Sequence, residues 1–293
     1  MSSGWGRREF LGLLAASALA GKARAAVTPR LAAIDWAMLE TSVALGIMPV
    51  AATELIQFRA GAVEPEIPET VSDLGLRGAP NFELLQLTRP DLILISPFYT
   101  RYTGRLEAIA PVFSLPFYVK GEPPFEKSLA AVSALGEKLG RADEARKVLD
   151  EARLALQAMR TRLAGFASRP TYVINIGDAR HFRAFGEDSM FGDILGRLGL
   201  TNAWVDHSQF TFAAPVPLEN LADVADARIV IVSDVPVEAR ESLRNSAIWR
   251  ALPAVRENRV VTLGNVSPYG GITAAMRFAR LLTEALATHG EAL

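Results

Sequence analysis

Apolar residues along this chain fall into two kinds of run. Leu-Ile-Leu-Ile-Ser at 92–96 and Ile-Val-Ile-Val-Ser at 229–233 are unbroken and lack polar alternation. That pattern marks strands buried on both faces of a parallel sheet. Further strand candidates lie at 31–34, 48–52 and 112–115 in the first half, and at 172–176 and 260–263 in the second. Helical periodicity fills the gaps, so each half reads as α/β. A weak internal repeat supports two halves of like architecture. Glu83-Leu-Leu, Arg89-Pro-Asp and the 92–96 run are echoed by Glu219-Asn-Leu, Asp226-Ala-Arg and the 229–233 run.

Between the halves, Ala145, Val148, Leu149, Ala152, Leu156, Met159 and Leu163 share one face at helical spacing. Arg146, Lys147, Asp150, Arg153, Gln157 and Arg160 take the other, with Asp143 and Lys147 an i,i+4 pair. Helix 142–163 extends about 33 Å, the width of a lobe. The fold expected is two α/β lobes, 26–141 and 166–293, joined by a single long helix within 142–165, with a ligand cleft between the lobes. The same pattern would suit a crossover helix inside one continuous sheet. A terminal helix is expected over 272–287.

Residues 1–25 stand apart. Gly6-Arg7-Arg8-Glu9-Phe10-Leu11 precedes a short apolar run, 13–20, and then Ala23-Arg24-Ala25. A charged start, a short apolar stretch and a small-x-small site form an export leader, and the arginine pair makes it of the twin-arginine type. The product expected is soluble and periplasmic. Composition narrows the chemistry further. The chain has no cysteine, which removes disulfides, thiol catalysis and thiolate metal sites. Its three histidines are far apart, and its net charge of −1 gives no footprint for nucleic acid. No serine elbow, P-loop, paired-carboxylate or dinucleotide fingerprint is present.

Several local sequences occur in a telling order. They are Trp36 to Pro49, Asp73-Leu-Gly-Leu-Arg77, Pro80-Asn-Phe-Glu-Leu-Leu85, Arg89-Pro-Asp91 and Ile109-Ala-Pro111. In the second half they are Asp178-Ala-Arg-His181, Phe185-Gly186, Asn202-Ala-Trp204 and Tyr269-Gly270. This ordered set resembles the periplasmic ferric-hydroxamate binding proteins of the Fhu siderophore uptake type, along nearly the whole chain after the leader. The resemblance implies a non-catalytic, monomeric solute-binding protein of the rigid-helix class, with partners limited to an Fe(III)–siderophore and an inner-membrane ABC permease. No cofactor and no protein-bound metal are implied, because the siderophore itself holds the iron.

The resemblance also assigns residues. Arg77 and Tyr99 would bind hydroxamate oxygens, with Tyr102 a rival for Tyr99. A guanidinium fork and a phenol supply donors to oxygens that only accept. Trp204, Gln209, Phe210, Phe212 and Tyr269 would form the second-lobe wall. Gly61, Thr211 and Ser267 stand at or near places where that family carries tryptophan. Glu219 would dock to the permease on one lobe. On the other lobe the matching position is Gly104, with Glu107 one turn on. The alternatives are a binding protein for another iron chelate, haem or cobalamin, and an exported hydrolase using His181 with Asp178.

Overall fold

A computed structural model describes residues 28–206 and 216–290. The expected leader, Gln209, Phe210 and Phe212 lie outside the described residues.

The first sheet is fed by β1 (Leu31–Ala33), α1 (Trp36–Ala44), β2 (Ala51–Ala52), α2 (Leu55–Gly61), β3 (Ser72–Asp73), α3 (Phe82–Leu87), β4 (Leu92–Ile95), α4 (Thr103–Glu107), β5 (Val112–Ser114) and α5 (Phe125–Lys138). Its five strands run in the order β3-β2-β1-β4-β5, all parallel. Next comes α6 (Ala142–Arg162), the long helix expected from the periodicity. Then follow β6 (Thr171–Ile176), β7 (His181–Ala184), α7 (Met190–Arg197), β8 (Val216–Pro217), β9 (Arg228–Ile231), α8 (Val237–Asn245), α9 (Ala247–Ala251), α10 (Pro253–Arg256), β10 (Val260–Thr262) and α11 (Ile272–Gly290). The second sheet has the order β10-β9-β6-β7-β8. Two separate sheets rule out the single continuous sheet.

The structure corrects the sequence reading in several places. The second sheet is mixed, because β7 pairs antiparallel with both β6 and β8. The lobes are therefore alike only in their parallel portions. The expected strand 48–52 shrinks to Ala51–Ala52, since Pro49 has no N–H to give the ladder. On α6, Asp143 pairs with Arg146 at 2.9 Å and Lys147 with Glu151 at 3.8 Å, in place of the Asp143–Lys147 pair. The repeat holds at its strands but not at its leading helices: α3 precedes β4, whereas a 3-10 turn, Leu218–Ala222, precedes β9.

The unbroken apolar runs are explained by how their side chains divide. Leu92 and Leu94 enter one core while Ile93 and Ile95 enter another. Val230 and Val232 join the first of these, while Ile229 and Ile231 enter a third. The first core is common to both lobes. It takes the inner faces of both sheets together with α1, α2, α5, α6, α7 and α11, and includes Phe58, Phe117, Phe125, Phe191 and Phe278. Phe191 stacks on Phe278 with ring centroids 4.6 Å apart. Polar ties also cross between the lobes. Arg277 and Arg280 on α11 reach Glu64 at 2.5 and 2.7 Å, and Asp193 on α7 accepts the N–H of Phe125 at the start of α5 (2.8 Å).

Candidate functional site

Every strand of the first sheet is parallel, so the carboxyl ends gather on one edge, where ligands bind in open α/β sheets. Asp35 follows β1, Glu54 follows β2, Arg77 lies on the loop after β3, and Ser96 to Tyr99 follow β4. The carboxyl ends of β6, β9 and β10 face this edge from the second lobe. Contact between the two edges is direct: Asn265, after β10, donates its Nδ2–H to the carbonyl of Ala60 at 3.0 Å.

Arg77 is held in one pose. Its Nε–H donates to Glu54 Oε2 at 2.6 Å and its backbone N–H to Oε1 at 3.0 Å. Its guanidinium carbon lies 4.1 Å from the ring centre of Trp36, a cation–π stack. Trp36 is anchored in turn by donating Nε1–H to the carbonyl of Thr53 at 3.0 Å. The loop that carries Arg77 is shaped by Gly75 at φ +73°, whose N–H is accepted by Asp73 Oδ1 at 2.9 Å. Asp73 Oδ2 also accepts the N–H of Leu55 at 3.0 Å, tying the loop to α2. Glu54 sits in the left-handed region at φ 52°, a conformation that costs a side-chain residue about 1–2 kcal/mol. Strain of this kind persists where the surroundings enforce it, and here it aims a carboxylate at the arginine.

Tyr99, not Tyr102, is the tyrosine beside Arg77. Tyr99 is buried, and that burial with the nearby Asp35 carboxyl pushes its hydroxyl up to about 12, against the pull of Arg77, which hydrogen-bonds it. The hydroxyl is therefore a neutral donor. Tyr102 is committed elsewhere, donating to the carbonyl of Gly78. Beneath them Asp35 accepts from the N–H groups of Ala37 and Met38 and from the hydroxyl of Ser96 at 2.8 Å. Burial raises its pKa, and the hydrogen bonds and Arg77 oppose that shift.

The second lobe brings Tyr269 to the same place. Its hydroxyl is pushed up to about 12 by burial, with Arg183 and Arg77 pulling the other way. Tyr269 thus lies within the fields of arginines from both lobes. Its ring meets that of Tyr118 edge-on at 5.7 Å. Trp204 is placed differently. It packs edge-on against Phe182 at 6.0 Å, beside the outer core of the second lobe, with its Nε1 buried. His181 and Asp178 meet at 3.1 Å at the start of β7. The same carboxylate accepts the N–H groups of Arg180 and His181, which makes the pair a turn closure. Glu219 and Glu107 are exposed, in the 3-10 turn before β9 and at the end of α4.

Sequence reasoning missed Glu54, Trp36 as a stacking partner, Glu40, Tyr118 and Arg183. Each acts through a contact distant in sequence. Trp36 and Glu40 carried a signal only as members of one quoted motif, Trp36 to Pro49.

The chain belongs to the periplasmic binding protein family, whose model matches residues 31–266. Its relatives are more particular. It is 30% identical over 285 residues to the iron(3+)-hydroxamate-binding protein FhuD of Escherichia coli strain K12, covering 96% of each chain. It is 22% identical over 244 residues to the Fe(3+)-citrate-binding protein YfmC of Bacillus subtilis strain 168, covering 82% of this chain and 75% of that one. Among solved structures, the siderophore-binding protein FhuD of Vibrio cholerae, with Fe3+–Desferal bound, superposes with a TM-score of 0.83 at 25% identity. That match covers 89% of this chain and 98% of the other.

Proposed function

We propose that this protein captures a ferric hydroxamate siderophore in the periplasm and delivers it to an inner-membrane ABC permease, without catalysis. The observation that carries the reading is the pinned Arg77 beside the neutral hydroxyl of Tyr99, facing Tyr269 across the lobes. Hydroxamate oxygens around Fe(III) carry partial negative charge and only accept hydrogen bonds, so a fixed guanidinium and phenols suit them. The siderophore fills the coordination sphere of the iron, so the protein needs no metal ligands of its own. Gln209, Phe210 and Phe212 complete the wall in this reading. The lobes take 26–141 and 166–293, and residues 1–25 export the chain by the twin-arginine route. Glu219 and Glu107 meet basic residues of the permease.

Titration of the purified protein with ferrichrome, followed by tryptophan fluorescence, tests the reading. Saturable quenching is expected, weakened about ten- to hundred-fold in Arg77→Ala, since a charged hydrogen bond is worth about 1.5–3 kcal/mol. Equal affinity in the variant refutes the site. For delivery, Glu219→Arg should leave ferrichrome affinity intact and lower transport in reconstituted vesicles. A second reading, an iron chelate bearing carboxylates, is favoured by Arg183, which adds a second guanidinium near Tyr269. Tighter binding of ferric citrate than of ferrichrome would select it.

A further inference from the structure

Tyr269 belongs by sequence to the second lobe, yet the groups that hold its loop come from the first. Glu40, wholly buried on α1, accepts the N–H of Gly271 at 2.7 Å and that of Ala274 at 2.9 Å, both through Oε2. A side chain from α1 thereby caps α11, doing from a distance what an N-cap residue does locally. Tyr118, on the segment between β5 and α5, donates its hydroxyl to the carbonyl of Gly270 at 2.5 Å. Its ring also touches that of Tyr269. The residues on either side of the gap are shaped for this contact. A Cβ on Gly270 would fall 2.3 Å from Glu40 Oε1 and 2.4 Å from the Cβ of Ala274. A Cβ on Gly271 would fall 3.0 Å from the carbonyl oxygen of Ala37. Two glycines are therefore what lets α1 pack against the backbone that follows Tyr269.

We propose that Glu40 and Tyr118 are positioning residues that fix Tyr269 to the first lobe, so that Arg77, Tyr99 and Tyr269 meet the cargo as one rigid constellation. The proposal rests on the reading of Tyr269 as a ligand contact. Its consequence is thermodynamic. A phenol already oriented before binding loses less freedom when the cargo arrives. Neither Glu40 nor Tyr118 touches the cargo. Each would act through the backbone that follows Tyr269, at Gly270, Gly271 and Ala274.

A double-mutant cycle with ferrichrome as the probe tests this. Tyr269→Phe comes first: unchanged affinity there would overturn the ligand role of Tyr269, and the positioning role with it. Where Tyr269→Phe weakens binding, Glu40→Ala is expected to weaken it about tenfold, with Glu40→Gln, which keeps an acceptor oxygen, recovering most of the loss. Glu40→Ala combined with Tyr269→Phe should bind no more weakly than Tyr269→Phe alone. A merely structural glutamate would lower the melting temperature and leave the dissociation constant unmoved, or would add its cost to that of Tyr269→Phe. Either result overturns the proposal. Tyr118→Phe removes one hydroxyl from an otherwise intact ring. It serves as the second variant if Glu40→Ala fails to fold, and the same non-additivity with Tyr269→Phe is required of it.

Discussion

Glu54 grips Arg77 at both ends, taking the backbone N–H at 3.0 Å and the side-chain Nε–H at 2.6 Å across 23 residues of sequence. The grip occupies the Nε edge of the guanidinium. Trp36 occupies one face, and the terminal amino groups are left towards Tyr99 and the gap between the lobes. Glu54→Ala should therefore weaken ferrichrome binding about five- to twenty-fold, by releasing a charged donor from its pose. The fold should survive, since the carboxylate side chain is only partly buried. Isothermal titration beside a melting curve checks both halves. Full affinity in the variant would mean that the arginine does not need its anchor.

The two neighbouring tyrosines should part company. Tyr99→Phe removes the hydroxyl that bonds Arg77 and should cost about tenfold in affinity, the loss of one charge-assisted hydrogen bond. Tyr102→Phe removes a bond to the carbonyl of Gly78 and should change affinity less than threefold. Parallel fluorescence titrations of both variants decide the assignment. A reversed order would hand the ligand role to Tyr102.

Trp36 should report on the site. Trp204 and Trp249 pack beside the outer core of the second lobe, whereas Trp36 stacks on Arg77. Trp36→Phe should remove more than half of the quenching that ferrichrome produces while retaining measurable binding by calorimetry. Undiminished quenching would place the cargo away from this stack.

The parts legible from sequence were those with local signatures. The unbroken runs at β4 and β9 and the face of α6 state their environment in consecutive residues. The strands that escaped notice have no such run. β3 and β8 are two residues each, and β7, His-Phe-Arg-Ala, puts polar residues on its half-buried face. The site followed the same rule. Arg77 and Tyr99 came from resemblance, while Glu54 and Glu40 owe their roles to partners 23 and 231 residues away. No window of sequence contains such a pair.

The common core predicts how the molecule unfolds and moves. Residues from both sheets and six helices share one apolar interior, so neither lobe can open without exposing it. Calorimetry should show a single cooperative transition. Phe278→Ala, at the stacked pair with Phe191, should destabilise the whole by about 3–5 kcal/mol. Small-angle scattering should give nearly equal radii of gyration with and without ferrichrome. Two calorimetric transitions would refute the coupling, and a large contraction on binding would refute the rigidity.

Glu40 should also leave a mark on the pH dependence of stability. Its carboxyl is pushed from an ordinary 4.5 up to about 8, chiefly by burial, with the nearby Asp35 adding to the rise. The N–H groups of Ala274 and Gly271 oppose the shift without cancelling it. Between pH 4.5 and 8 the folded chain therefore holds a proton that the unfolded chain has released. Stability from this group is complete below about pH 4.5, declines as the pH rises through that window, and levels off above about 8. Other groups slope the opposite way. Glu64 is lowered by its pairing with Arg280 and Arg277, and Asp178 by accepting the N–H of Arg180, so the raw profile of the wild type is a mixture. Comparison with Glu40→Gln isolates the one group, because the amide cannot titrate. Urea midpoints measured from pH 5 to 9 should show the Gln variant gaining on the wild type steadily up to about pH 8 and holding a constant difference beyond it. A difference that stays flat from pH 5 to 8 would show that Glu40 is already ionised in the folded protein. Its two N–H partners would then outweigh its burial.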